Sequence, residues 1–147
     1  MDFAPTATSA REAHAAGELA AWSQWFTRNG DPNMALANGL LSDDFVYLLA
    51  EVPLRDLYPC SGPAPDFDYP DDPDDYERRV VEMIGMFGAG WDAPPLFVHL
   101  PTLFLAEGAH RREALLRLGR GTYWAVCWMK RPPLVGRGQH WAPRDDK

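Results

Sequence analysis

The sequence predicts an α+β fold in which a small mixed sheet is flanked by helices. Stretches rich in β-branched and aromatic residues predict strands at residues 45–52, 96–100, 103–106 and 122–128. Apolar residues spaced three and four apart predict amphipathic helices at residues 13–28, 33–41, 74–87 and 110–118. A chain of 147 residues is long enough for one domain with a real core. We divide it into an N-terminal helical extension (1–44), a sheet-containing domain (45–130) and an extended basic tail (131–147).

The composition is typical of a globular protein in a reducing compartment. Hydrophobic residues make up 46% of the chain and charged residues 24%, which separates it from disordered chains. No apolar run reaches the roughly 18 residues that a bilayer span requires. The N-terminus carries Asp2 and lacks the apolar stretch of a secretory signal. Two cysteines are too few for a disulfide framework, and we therefore expect a cytoplasmic protein without a membrane partner.

Charge is distributed unevenly along the chain, whose net charge is −7. Residues 1–110 contain 18 acidic and 5 basic residues, whereas residues 111–147 contain 3 acidic and 9 basic residues. The acidic excess argues against non-specific binding to duplex DNA, which needs a broad basic face. The basic C-terminal quarter is compatible with a local anionic ligand or with a solvated basic tail.

The N-terminal extension is predicted to pack a helix against the core. Residues 1–10 are small and polar, and we expect them to be frayed. The helix over residues 13–28 ends at Asn29-Gly30, and a short second helix follows. The apolar face of the helix over residues 13–28 consists of Leu19, Trp22, Trp25 and Phe26. We interpret the two tryptophans as core residues, with a binding platform as the alternative.

Residues 59–73 form a proline-rich loop, and acidic side chains are concentrated at its end and at the start of the following helix. The carboxylates are those of Asp66, Asp68, Asp71, Asp72, Asp74, Asp75 and Glu77. A calcium loop is excluded, because Pro70 and Asp71 stand where such a loop needs an Asp or Asn and a Gly. We interpret the segment as a solvated loop whose last aspartates cap the following helix. A divalent-ion site that includes Asp66 and Asp68 is the alternative.

The stretch from Glu107 to Glu113 carries the clearest chemical signal. A glycine turn leads there into a helix, and a helix N-terminus with nearby arginines is a good place to bind an anion. The residues expected to contact the anion are Gly108, Ala109, His110, Arg111 and Arg112. Glu107 is the nearest carboxylate and the candidate catalytic or metal-binding residue. The alternative is a structural turn in which Arg111 pairs with Glu107 or Glu113 and His110 caps the helix.

The order of these segments resembles the ParB/sulfiredoxin superfamily. The resemblance covers about residues 45–128 and includes VPLRDL after the first strand, PPLFV, FLAEGAHRREALLRLG and the closing AVCW strand. Its most specific part is the G-x-x-R motif that opens a helix, here Gly108-Ala109-His110-Arg111. The resemblance implies a ParB/sulfiredoxin-like sheet and a nucleotide-phosphate site at this motif.

Three departures limit the activities that the resemblance implies. Ala109 stands where sulfiredoxins have their catalytic cysteine, so we expect no sulfinic acid reduction. The turn over residues 57–62 lacks the carboxylate that the serine kinases of this fold use. The chain ends about 20 residues after the last strand, without the helix-turn-helix region of the DNA-segregation proteins, so we expect no sequence-specific DNA binding.

Three functions therefore remain as hypotheses. The first is a nucleotide- or phosphate-binding protein, as an NTPase or small-molecule phosphotransferase with Mg²⁺ bound beside the nucleotide. The second is a non-catalytic regulatory protein of bacterial or phage type, with a degenerate site and a protein partner. The third is a ParB-like nuclease, against which the acidic excess argues.

Overall fold

A five-stranded mixed sheet forms the centre of the molecule in the computed structural model, which describes residues 3–42, 44–63, 67 and 69–131. The sheet order is β1-β7-β5-β6-β2. Its strands are β1 (Phe45–Pro53), β2 (Tyr58–Pro59), β5 (Leu96–His99), β6 (Phe104–Glu107) and β7 (Thr122–Lys130). Two further short strands, β3 (Ser61–Gly62) and β4 (Tyr69–Pro70), form a separate parallel pair. The expected α+β class with a small mixed sheet is confirmed.

The sheet combines antiparallel and parallel pairs. Strands β1 and β7 run antiparallel along their whole length, from Phe45 opposite Lys130 to Pro53 opposite Thr122. Strand β5 lies parallel to β7 and antiparallel to β6, and β6 lies parallel to β2. Strand β5 is apolar and fully buried at Leu96, Phe97 and Val98, as expected of a strand with covered faces.

Helices α1 (Ala7–Ala15), α2 (Leu19–Trp25) and α3 (Met34–Gly39) form the N-terminal extension. The prediction of one helix over residues 13–28 is wrong, because Gly17 adopts φ +75° and separates α1 from α2. A π-helical turn (Phe26–Gly30) then continues α2. The expected fraying of residues 1–10 is also wrong for Ala7 and Ala10, which are buried in a helix capped by the Thr6 hydroxyl.

Helix α4 (Pro73–Gly88) begins as the sequence predicts and packs beside α5 (Ala109–Arg117). Asp72 caps α4, since its carboxylate accepts a hydrogen bond from the Asp75 amide at 3.0 Å. Tyr76 and Val80 are buried against Ala114 of α5. The predicted helix over residues 110–118 ends one residue early in the structure, because Leu118 follows the last residue of α5 and is 43% exposed.

A 3₁₀ turn (Leu54–Asp56) follows β1 and buries Leu54, as the leucines of this segment predict. Cys127 lies in β7 and is buried in the core. No α-helix within the described residues combines the length and apolarity needed to cross a membrane. Asp66 and Asp68 lie outside the described residues, as does the predicted tail from residue 132 onwards.

Candidate anion-binding site

A cavity of about 650 Å³ lies where the N-terminus of α5 meets α4 and the N-terminal extension. Four of the expected ligand residues, Gly108 to Arg111, line this cavity together with Glu107. The remaining walls come from elements far apart in the sequence, with polar contributions from Asp31, Asn33, Cys60, Ser61 and Arg79. Its volume falls in the range typical of small-molecule sites, about 300–1,000 Å³. The predicted motif therefore belongs to a cavity with several walls.

Gly108 shapes the start of α5. Its φ of +109° lies in the left-handed region, where a residue with a side chain is strained. A Cβ at this position would lie 2.5 Å from Leu96 Cδ2 and 3.1 Å from Arg111 Nη2. No side chain of residues 3–42, 44–63, 67 or 69–131 caps α5, so within this part of the chain the first amides of the helix keep their unfilled hydrogen-bonding capacity. The glycine thus leaves room both for the Arg111 guanidinium and for a ligand that approaches the backbone.

Arg111 is buried beneath this turn, with only 3% of its surface exposed. Its Nη2 donates a hydrogen bond to the Pro95 carbonyl oxygen at 3.1 Å, and Nη1 lies 3.9 Å from an oxygen of Asp31. Burial lowers the pKa of Arg111, whereas the nearby carboxylates of Glu107 and Asp31 oppose that shift. The buried Nε has no hydrogen-bond partner among the described residues. The guanidinium therefore retains an unused donor in a desolvated position.

Glu107 lies close to Arg111 and is held by the N-terminal extension. Asn33 Nδ2 donates a 2.8 Å hydrogen bond to Glu107 Oε1 across 74 residues of sequence. Burial raises the pKa of Glu107, and the negative charge of Asp31 adds to this rise. Arg111 and the Asn33 hydrogen bond act in the opposite direction. The net effect is a Glu107 pKa above that of an ordinary carboxyl group, with burial as the main cause.

His110 lies beside Asp71 of the acidic segment. Its Nε2 lies 3.2 Å from an Asp71 carboxylate oxygen, and its ring lies 4.9 Å from the ring of Tyr76. This distance is within ion-pair range. Neither His110 Nε2 nor Asp71 Oδ2, however, makes a hydrogen bond of good geometry with a described residue. Burial lowers the pKa of His110 despite the opposing effect of Asp71. Burial thus favours the neutral imidazole, in which one ring nitrogen donates a hydrogen bond and the other accepts one.

Arg112 is the one expected anion ligand that the structure does not bring to the cavity. Its Nε donates a 2.7 Å hydrogen bond to the Leu54 carbonyl oxygen, which ties α5 to the turn after β1. Conversely, the sequence analysis missed Asp31, Asn33 and Arg79 as cavity residues. Asp31 and Asn33 lie between the π-helical turn and α3, where Asn33 also caps α3. The contacts of Asp31 with Arg111 and of Asn33 with Glu107 depend on tertiary packing, for which the sequence carries no local signal.

Comparison with known proteins adds one structural neighbour. Neither a protein-family model nor a curated protein matches the sequence. The chain is similar to a solved Pnob8-like ParB-N domain. The match has a TM-score of 0.42 and 13% sequence identity, and it covers 61% of this chain. The match covers 32% of the solved chain, so this protein spans about a third of that neighbour's length. At this TM-score and identity, the similarity carries no argument about ligand or activity.

Proposed function

We propose that the cavity binds a small ligand through a phosphate group, and that a nucleotide is the first ligand class to test. The observation that carries the proposal is the buried Arg111 guanidinium, whose Nε lacks an acceptor among the described residues. A buried arginine normally has its donors satisfied, so an unmet donor beside a cavity marks a place for an acceptor.

The backbone around Arg111 supports the same ligand chemistry. The uncapped N-terminus of α5 supplies amide donors and the positive end of the helix dipole. Gly108 presents no side chain, so that an oxyanion can reach those amides closely. His110 lines the same cavity and adds a ring nitrogen that can donate a hydrogen bond. Amides, dipole and guanidinium together form a cradle suited to a tetrahedral anion.

Magnesium fits this site as an ion shared between protein and ligand. The carboxylates of Asp31 and Glu107 interact with one another on one wall of the cavity. Magnesium is commonly held by one or two carboxylates together with substrate phosphates. Within the described part of the chain, no group of three or more metal-ligating side chains comes together. Bound there, the ion would neutralise phosphate charge, while Asp31 and Glu107 supply its protein ligands.

Calorimetric titration with ADP, ATP and CTP, with and without magnesium, tests the binding proposal. We expect millimolar or tighter binding by the wild-type chain and at least about tenfold weaker binding by Arg111→Lys, which keeps the charge but loses the planar fork of donors. Arg120→Gln is the matched control, because Arg120 is an exposed arginine beyond α5 that does not line the cavity. Absence of binding by the wild-type chain at millimolar nucleotide would contradict the proposal.

Glu107 is the residue that we propose for proton transfer or metal binding if the ligand is also a substrate. Glu107→Gln preserves the shape and the Asn33 contact but removes the titratable group. We expect it to retain nucleotide binding and to lose at least about 100-fold in turnover, the usual scale of general acid–base catalysis. Phosphate release and nucleotide chromatography measure the turnover.

A non-catalytic binding protein is the second candidate. It is favoured by the involvement of Arg111 in the fold, since its hydrogen bond to Pro95 connects α5 to β5 whether or not a ligand binds. Wild-type protein that binds nucleotide but releases no product under the same conditions would support this candidate. Incubation with plasmid and single-stranded DNA plus magnesium or manganese tests the nuclease hypothesis in parallel.

A further inference from the structure

Arg79 differs from the other arginines of α4 and α5 in its surroundings. Arg78 pairs with Asp75 and Glu82, and Arg117 pairs with Glu77 and Glu113. In the described part of the chain, by contrast, the exposed Arg79 side chain makes no ion pair or hydrogen bond. It lines the cavity nonetheless. A guanidinium that lines a cavity and has no acidic partner among these described residues is a candidate contact for an anionic ligand.

The position of Arg79 on α4 is unusual for a charged residue. The inward face of this helix is formed by Tyr76, Val80 and Met83, which pack towards α5. Arg79 lies three residues after Tyr76 and four before Met83, so it occupies the same helical face. A solvated arginine would be expected on the outer face, where Arg78 and Glu82 lie. The sequence thus places a cation on the side of the helix that borders the cavity.

Arg79 and Arg111 approach the cavity from different elements. Arg111 lies under the α5 turn beside Asp31 and Glu107, whereas Arg79 extends from α4 near His110. Its charge is close enough to contribute to the lowered pKa of His110, after the larger effect of burial. Two cationic groups that line one cavity from separate elements match a ligand that carries more than one anionic group.

We propose that Arg79 forms a second anion subsite, and that the ligand of this cavity carries two linked anionic groups, as a diphosphate does. The inference rests on the proposed function, because one phosphate is assigned to Arg111 and the α5 amides. The second group then lies towards α4, where Arg79 donates to it. A ligand with one phosphate leaves this subsite unused.

Titration with inorganic phosphate and with inorganic pyrophosphate separates the two subsites. The wild-type chain binds pyrophosphate more tightly than phosphate. Arg79→Gln lowers the pyrophosphate affinity at least about tenfold, as expected for the loss of a charge-assisted contact, and changes the phosphate affinity less than about twofold. Arg78→Gln is the matched control on the neighbouring position of the same helix, and it changes neither affinity.

Three outcomes would overturn the inference, and they are distinguishable. Equal losses of phosphate and pyrophosphate affinity in Arg79→Gln would show that Arg79 attracts anions in general and forms no second subsite. The proposed function would then still stand. A lower melting temperature with unchanged pyrophosphate affinity would assign Arg79 to the stability of the fold. Failure of the wild-type chain to bind either anion would overturn this inference and the proposed phosphate site together.

Discussion

Gly108 is the residue whose chemistry most directly determines the geometry of the cavity. Its positive φ strains any residue that has a side chain, and Leu96 lies 2.5 Å from the position that a Cβ would occupy. Any other residue therefore lowers stability for two separate reasons. We expect Gly108→Ala to lower the free energy of unfolding by about 2–4 kcal/mol, from left-handed strain together with overpacking. Urea or thermal unfolding measures this loss.

Gly119 is the matched control for Gly108. It also has a positive φ, of +80°, but a Cβ there would meet nothing within 4 Å. Gly119→Ala therefore carries only the conformational penalty, and we expect it to cost about 1 kcal/mol. Equal losses in the two variants would show that the contact with Leu96 and Arg111 contributes little.

Glu107 makes stability depend on pH in a direction that can be predicted. Burial raises its pKa, so the folded chain keeps this proton at pH values at which the unfolded chain has released it. The associated stability is present at low pH and is lost as pH rises from the ordinary carboxyl range through the raised pKa. We expect Glu107→Gln to remove that decrease, as measured by urea unfolding at a series of pH values. Parallel pH profiles in variant and wild type would contradict this account.

Arg111 and Glu107 also show where reasoning from sequence succeeds and where it stops. A glycine followed by a helical pattern is a local signal, and it correctly predicts the turn and the start of α5. The burial of Arg111 carries no such signal, because arginine is usually exposed and its burial depends on Pro95 and Asp31. The Asn33–Glu107 hydrogen bond joins residues 74 positions apart and follows only from how the extension packs.

At the scale of elements, α4 positions the cation that we assign to the second anion subsite. The helix begins with Asp72 as N-cap and Pro73 in its first turn, an arrangement that local sequence predicts well. We expect Asp72→Ala to destabilise the chain by about 1 kcal/mol, since it removes the acceptor for the Asp75 amide. Thermal unfolding measures the change.

Asp74→Ala provides the control for the cap of α4. Asp74 lies in the same first turn and is exposed, but the hydrogen bond that caps the helix comes from Asp72. Asp74→Ala therefore removes only a favourable interaction of the Asp74 carboxylate with the helix dipole, worth about 0.3–1 kcal/mol. A larger loss for Asp74→Ala than for Asp72→Ala would show that charge, and not the cap, sets the start of α4.

The loop after α2 is the other element on which the site depends. The π-helical turn at residues 26–30 ends directly before Asp31, and such irregular turns often occur at functional sites. Helical periodicity predicts the apolar face of this region but not the change of helix type. Helical periodicity likewise does not predict that Gly17, in a stretch of high helix propensity, separates α1 from α2.

At the scale of the whole molecule, the N-terminal extension and the sheet share one apolar core. Trp22 is fully buried and stacks on Phe26 at a ring distance of 5.0 Å, and both rings stack on Phe97 of β5. The sequence correctly predicts a core role for the tryptophan. It does not show that the core joins the extension to the central strand, because the sheet order is a tertiary property.

Trp22→Ala tests this shared core. We expect it to cost about 3–5 kcal/mol, the usual loss for truncating a buried aromatic side chain. Trp25→Ala is the matched control, since Trp25 is only partly buried on the same helix, and its loss should be clearly smaller. A single cooperative unfolding transition is expected in both variants. A separate early transition confined to the extension in Trp22→Ala would contradict a common core.

The central claim is that an anion binds at the N-terminus of α5. The most direct measurement is a titration of ¹⁵N-labelled protein with ADP, followed by the backbone amide resonances. We expect the largest shifts at Gly108, Ala109, His110 and Arg111, with smaller shifts at Asn33 and Arg79 on the facing walls. Unchanged amides at residues 108–111, or shifts confined to the basic residues after 130, would contradict the account.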